Sequence, residues 1–223
     1  MTDNADKDYF PVMVQKYIEK PLLIHNRKFD IRQWFMIHQT ENSLDVYIYD
    51  GCYLRFSGQH FSLFDFDDYI HLTNHSIQVN NLTRTSVAQK GAHEFIPSSC
   101  IWSKETFSTW LASENEARDL WNETVFPQMK SILKEVTSDS FEKEGTLRKN
   151  TFEFFGADFM IDEKLDVFLL EINKSPDPAA NTRIQRNLFE GITSDTIKVN
   201  FRFFKKNQLL VIFSDLIAFS DSN

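Results

Sequence analysis

Glycine is scarce in this chain, at 6 of 223 residues, and proline matches it at 6 while cysteine stands at 2. So few glycines leave no Gly-rich loop whose backbone amides could cradle a phosphate. Cys52 and Cys100 alone build neither a disulfide framework nor a zinc cluster, and free thiols in a reducing compartment are the simpler reading. Excess positive charge is missing too: a net charge of −8 argues against a nucleic-acid-binding surface. The amino-terminal run Met1 to Asp8 is acidic and lacks the basic-then-apolar profile of a signal peptide. Leu209 to Phe219 is apolar but too short to span a bilayer, and Ser214 and Asp215 interrupt it. These absences lead to the expectation of a cytoplasmic protein with no membrane and no nucleic-acid partner. The sequence shows no internal repeat.

What is present is an ordinary globular composition, 42% hydrophobic and 25% charged, unusually rich in phenylalanine at 22 residues. The length suffices for a sizeable core. Residues 1–10 read as a disordered acidic lead-in, 11–200 as a folded domain and 201–223 as a divergent tail. Alternation predicts strands over Lys28 to Gln39, Leu44 to Tyr49 and Tyr53 to Ser57. The polar stretch 78–99 reads as a mobile loop. Ser103 is a candidate cap for a helix to about Ala112, and helical spacing recurs over Asn115 to Val136, with Pro127 predicting a kink or break. Ser138 to Asn150 reads as polar linker, Ser175 to Pro178 as a rigid turn, and Thr182 to Val199 as a final helix. The expected class is α+β.

Two apolar runs, Gly156 to Asp162 and Val167 to Asn173, flank the short polar Glu163 to Asp166 and predict a β-hairpin. If the loop is residues 163–166, Asp162 pairs with Val167 and Asp158 lies across from Glu171, with Asn173 on the same face. Opposed side chains sit roughly 5 Å apart, and like charges at that spacing destabilise a ladder unless something neutralises them. A hard divalent cation with oxygen ligands would do so. The alternative is a hairpin whose polar face simply meets water.

Lys28, Asp30 and Arg32 alternate with Phe29 and Ile31, so the three charges share one strand face. Such a row suits a nucleotide: lysine as a point charge for phosphate, a carboxylate for ribose hydroxyls, arginine for oxyanions. Arg55 would add a second guanidinium. On spacing alone, a solvated row of ion pairs is the simpler reading. His71 and His75 have the i, i+4 spacing of zinc ligands on a helix, but Thr73-Asn74 between them favours irregular backbone and a polar loop at a ligand.

Six segments, taken together, carry a likeness. They are Gln15 to Leu23, Arg27 to Trp34, Tyr53 to Ser57, His71 to Asn74, Gly156 to Phe159 and Leu170 to Pro176. In sequence and order they resemble the tubulin tyrosine ligase-like family, over about residues 12 to 200. The resemblance implies an ATP-grasp-like fold, an antiparallel sheet with packed helices, with ATP held between two α+β lobes. It implies a ligase that activates a carboxylate as an acyl phosphate, which an amine then attacks. It implies that Gln15, Lys16, Tyr17 and Ile18 meet adenine, that Lys28 and Asp30 contact the nucleotide, Asp30 at the ribose, and that Thr73 and Asn74 line the same cleft. Arg32 and Arg55 would face the γ-phosphate and the reacting carboxylate, while Asp158, Glu171 and Asn173 would hold magnesium.

Ile31 to Trp34, Tyr53 to Ser57 with Gln59 to Leu63, Ile101 to Ser103 and Glu171 to Pro176 look most like the glycine ligases of the family; His71 to His75 looks equally like the tyrosine ligase. The implied partners are tubulin, through its acidic carboxy-terminal tails, microtubules and free glycine; the implied setting is the cytoskeleton and the axoneme of a cilium or flagellum. Two departures bear on activity. The sequence starts where the family's catalytic region is half over, leading to the expectation that it carries part of an ATP site and is inactive in isolation. Asp177 to Ala180 replaces a Met-containing run. The alternatives are a catalytically inactive tubulin-binding remnant, or a ligase of the same family for tyrosine or glutamate.

Overall fold

The computed structural model describes residues 13–39, 44–78, 100–144, 151–174, 182–204 and 216–219. The amino-terminal lead-in, all but Gln78 of the expected mobile loop, and the Ser175 to Pro178 turn lie outside the described residues.

Strand β1, Phe29–Gln39, is central. It pairs antiparallel with β2, Leu44–Phe56, on one side and with β4, Thr151–Ile161, on the other. β3, Ile101–Ser103, and β6, Leu216–Phe219, both join the far edge of β2, and β5, Val167–Lys174, closes the opposite edge beside β4. The order is β3-β2-β1-β4-β5, with β6 pairing β2. The expected second and third strands are thus one: β2 runs unbroken through Asp50 and Gly51, and a shift in register between Gln33 and Phe35 absorbs the extra residues as an irregularity.

The period-2 alternation assigns the faces. Phe29, Ile31, Phe35 and Ile37 of β1 join Val46, Ile48, Leu54 and Phe56 of β2 in the main core. Helices cover that face. Ser103 caps α2, Lys104–Glu114, by accepting from the Thr106 amide, and Phe107 and Leu111 of α2 are buried. A π-helical turn, Trp121–Val125, leads into α3, Phe126–Glu144. Pro127 accounts for it: with no N–H at 127 the α ladder cannot continue regularly, and the Phe126 amide reaches back five residues to the Trp121 carbonyl. Trp121 then stacks on Phe126 at 5.7 Å and meets Phe107 edge-on at 5.9 Å. The segment read as linker from Ser138 is helical as far as Glu144; its serines and charges do not stop a helix whose core contacts are made earlier.

The other sheet face divides in two. Its lower half is covered by α4, Arg183–Phe204, which places Ile192, Ile184 and Leu188 against Trp34, Tyr53 and Ile101. Its upper half carries charge. There, beside the short helix α1, Asp68–His71, lie the residues of the candidate site.

Candidate functional site

Because β1 is flanked on both sides and covered on both faces, its charged row is buried. Lys28 is 6% exposed, Asp30 3% and, from β2, Arg55 6%. The solvated reading of the row is therefore wrong, since buried charges persist only when paired and hydrogen-bonded. Ladder geometry makes the pairs: Asp30 lies directly across from Arg55, and Arg32 directly across from Asp158. Arg32 grips Asp158 with two nitrogens, Nε on Oδ1 and Nη2 on Oδ2 at 2.9 Å. Arg55 grips Asp30 the same way, with Nε donating to Oδ1 at 2.8 Å and Nη2 to Oδ2. The same Nη2 reaches over β1 to Asp158 Oδ2 at 2.8 Å. Thr73 Oγ1 donates to Asp30 Oδ2 at 2.8 Å, so both oxygens of Asp30 are engaged. Burial alone would loosen Arg55's proton, but Asp30 and Asp158 outweigh it and hold the guanidinium firmly charged.

Lys28 stands apart from these pairs. Its ammonium donates to the His71 carbonyl at 2.8 Å and the Tyr17 hydroxyl at 3.3 Å, and lies 4.8 Å from the Tyr17 ring centroid. Burial pulls its pKa down to about 8, with Asp30 opposing. His71 completes the group. Its Nε2 lies 2.6 Å from the Asp65 carbonyl, an acceptor only, so Nε2 carries a proton. Its Nδ1 lies 2.6 Å from the Tyr17 hydroxyl. Both ring nitrogens are thus engaged, which leaves His71 no lone pair for zinc. The role of His71 in holding Tyr17 is not legible in its spacing; its place in the same short motif as Thr73 is the signal that pointed to it. His75 has its pKa lowered by burial and then by the Arg55 charge.

Glu171 and Asn173 lie on the Asp158 face, by a route the hairpin reading did not foresee. Ile161, not Asp162, pairs with Val167, which displaces the ladder by one. Between Phe159 and Asp158 the register shifts: Phe159 faces Leu169 and Asp158 faces Glu171, leaving Leu170 as an extra residue. The two displacements cancel. Asn173 Nδ2 donates to Glu171 Oε1 at 2.8 Å, which turns the amide oxygen of Asn173 away from that carboxylate. Asp158 is 2% exposed while Glu171 is open to solvent. Gln15 reaches this strand as well, its Nε2 donating to the Leu170 carbonyl at 3.2 Å. Lys16 pairs instead with Glu19; Gln15, Lys16 and Asn74 are exposed, and Ile18 is half-buried. The structure therefore brings Lys28, Asp30, Arg55, Thr73 and Asp158 into one buried cluster, with Tyr17 and the half-buried Arg32 against it and Glu171 and Asn173 at its edge.

The sheet carries Arg55, then Asp30 and Arg32, then Asp158 on three adjacent strands, and a family comparison says where such a chain belongs. The model of the tubulin-tyrosine ligase family matches residues 6–209. The chain belongs to that family. The α+β, ATP-grasp-like class expected from its motifs is the one the antiparallel sheet and its helices display. Among curated relatives, the tubulin monoglycylase TTLL3 of Danio rerio is 40% identical over 190 residues, 84% of this chain and 23% of the relative. Tubulin glycylase 3B of Drosophila melanogaster is 35% identical over 198 residues, 89% of this chain and 25% of the relative. The protein monoglycylase TTLL8 of Mus musculus is 38% identical over 190 residues, 84% of this chain and 22% of the relative. The likeness to the glycine ligases within the family thus agrees with these matches, and the chain spans about a quarter of the length of these relatives. Among the described residues no helix is long and apolar enough to cross a membrane.

Proposed function

We propose that this chain carries nucleotide- and metal-binding residues of an ATP-dependent carboxylate–amine ligase that attaches glycine to glutamate side chains of tubulin tails. The observation that carries the reading is the convergence of Arg32 and Arg55 on the buried Asp158. It lies on the face that Glu171 and Asn173 share, with the Lys28 ammonium buried alongside. The glycylase names of the relatives supply the amino acid and the acceptor.

In this reading Gln15 to Ile18 meet adenine largely through backbone groups, Lys28 offers a point charge to phosphate, and Thr73 and Asn74 line the cleft. Asp158, Glu171 and Asn173 fit magnesium as a donor set, two carboxylates and an amide oxygen, all hard, on one face of two paired strands, with the Asn173 amide needing to turn its oxygen towards Glu171. When bound, magnesium would supply charge neutralisation at phosphate oxygens. Arg32 and Arg55 stabilise negative charge as the acceptor carboxylate is phosphorylated and then attacked by the glycine amine. The partners are the acidic tails of tubulin, in microtubules of the cytoplasm and of cilia or flagella.

Isothermal titration with ATP and magnesium, together with mass spectrometry of tubulin tails incubated with the chain, ATP and labelled glycine, tests the proposal. The expected result is magnesium-dependent ATP binding that Asp158→Asn and Glu171→Gln each weaken and, wherever label is transferred, glycine on tail glutamates. ATP affinity unchanged by both substitutions would refute the metal assignment. Label incorporated from glutamate or tyrosine but not glycine would refute the amino acid.

A further inference from the structure

Residues 13–19 lie largely on the surface, and among the described residues none of their backbone groups bonds to another part of the backbone. The first such bonds come just after them, where the Glu163 amide donates to the Lys20 carbonyl and the Leu22 amide to the Ile161 carbonyl. Side chains fasten the segment instead. Gln15 reaches the Leu170 carbonyl at 3.2 Å, and Tyr17 is held more closely. Its hydroxyl lies 2.6 Å from His71 Nδ1 and receives Lys28 Nζ at 3.3 Å, while its ring meets His71 edge-on at 5.6 Å and carries the Lys28 ammonium at 4.8 Å. The His71 ring is itself fixed, with Nε2 2.6 Å from the Asp65 carbonyl, Phe61 edge-on at 5.9 Å and Phe66 at 6.4 Å. Since Nε2 carries the proton, Nδ1 offers a lone pair, and the Tyr17 hydroxyl donates to it. The phenol oxygen keeps its lone pairs for the ammonium. Donors therefore run in one direction, from Lys28 to Tyr17, from Tyr17 to His71 and from His71 to the Asp65 carbonyl, and each link pairs a donor with an acceptor.

We propose that His71 is a positioning residue for the adenine end of the nucleotide site. Through the Tyr17 hydroxyl it holds residues 15–18 in place, and it ties them to the Lys28 ammonium, which also donates to the His71 carbonyl at 2.8 Å. Three stretches that are distant in sequence, 15–18, Lys28 and the end of α1, are thereby set relative to one another before a ligand arrives, which lowers the ordering cost of binding. The consequence for binding rests on the nucleotide reading of residues 15–18, while the fastening is a property of the ligand-free chain.

The ligand-free test reads the backbone order of residues 15–18 by nitrogen-15 relaxation. Tyr17→Phe removes the hydroxyl alone. His71→Gln keeps a donor for the Asp65 carbonyl but no acceptor where Nδ1 stood, and His71→Asn does the reverse, placing its Oδ1 near the Nδ1 position. Order parameters of 15–18 are expected to fall in Tyr17→Phe and His71→Gln and to stay near the parent values in His71→Asn. Tyr17 is 40% exposed, so if the histidine variants do not fold, Tyr17→Phe decides alone. The second test uses calorimetry with magnesium and two probes, ATP and inorganic tripolyphosphate, which has the phosphates without the nucleoside. His71→Gln is expected to weaken ATP about two- to tenfold, the worth of one hydrogen bond, and tripolyphosphate by less than about twofold. Joining Tyr17→Phe to His71→Gln should weaken ATP no further than the worse single variant, because both break the same link. Order at 15–18 that neither variant lowers would overturn the proposal. So would ATP losses that add in the double variant, or tripolyphosphate weakened as much as ATP. A chain that binds neither probe refutes the nucleotide reading of the site, while the relaxation measurement still judges the fastening.

Discussion

Replacing Arg55 by methionine should destabilise this domain more than any surface charge substitution. The side chains of Arg55, Asp30 and Asp158 are 7%, 4% and 3% exposed, so none of the three can trade its partner for water. Methionine keeps apolar bulk but leaves Asp30 with only the Thr73 hydroxyl and Asp158 with only Arg32. Removing one member of a buried ion pair typically costs about 3–5 kcal/mol, because a carboxylate remains buried without its charge partner. For a domain of this size each kcal/mol moves the melting temperature by roughly 2–4 °C, so the expected fall is about 10 °C. Urea unfolding followed by the fluorescence of the 4 tryptophans would measure it. Adding Asp30→Asn to Arg55→Met should recover part of the loss, since the stranded charge is then gone. Lys20→Met is the control: its ion pair with Glu163 is 3.4 Å long between side chains 75% and 52% exposed, and should cost less than about 1 kcal/mol. If Arg55→Met behaves like Lys20→Met, the buried network is not what holds this face of the sheet.

Three further outcomes follow from other parts of the molecule. Burial depresses Lys28 to a pKa of about 8 from an ordinary 10.5, so the unfolded chain binds the extra proton between those values. The contribution of Lys28 to stability should therefore rise with pH across that window, while affinity for an anionic nucleotide falls as pH passes 8; Lys28→Met should abolish both dependences in matched titrations. Phe107, fully buried between Phe29, Trp110 and Trp121, should cost about 3–5 kcal/mol on truncation to alanine, read as a lower urea midpoint at unchanged slope. Gly191→Ala would gain about 1 kcal/mol of helix propensity in isolation, but its Cβ would stand 2.1 Å from Tyr49 Oη; net destabilisation is expected, relieved in part by Tyr49→Phe in a double-mutant cycle.

The sheet was largely legible because its strands alternate: Phe29, Ile31, Phe35 and Ile37 announce a core face without help from the rest of the chain. What was illegible came from distance. Lys28, Asp30 and Arg32 read as a solvated row because nothing in their own segment says that β1 will be flanked by β2 and β4 and that this half of the sheet will close over them. The bond from Arg55 to Asp158 joins strands separated by β1, and no local pattern encodes it. The pairing of Asp158 with Glu171 was anticipated for an incomplete reason. Asp162 leaves the ladder to bridge Pro21, and Leu170 is inserted on the return strand; the two one-residue changes offset each other. Leu169 and Ile172 both pack against the core although three residues apart, and this break in alternation is the sequence's own trace of the bulge.

The charge balance of the cluster carries a last consequence. Lys28, Arg32 and Arg55 bring three positive charges and Asp30 and Asp158 two negative, so the buried set is one charge short of neutral. A polyphosphate alone would meet one ammonium held by neutral groups, the His71 carbonyl and the Tyr17 hydroxyl, since both guanidinium groups are taken up by carboxylates. A divalent cation alone would meet Asp158 already holding three N–H donors. Each ion by itself has to break a buried pair and leave one charge stranded, which is the costly event. Arriving together they would cost less, because Asp158 could exchange its arginines for the cation while Arg32 and Arg55 turned to phosphate oxygens. ATP should therefore bind at least about tenfold more tightly with magnesium than without it, a coupling of about 1.4 kcal/mol. Asp158→Asn, which removes the carboxylate both ions contend for, should shrink that ratio towards one. Equal ATP affinity with and without the metal in the parent chain would show that the arginines never leave Asp158.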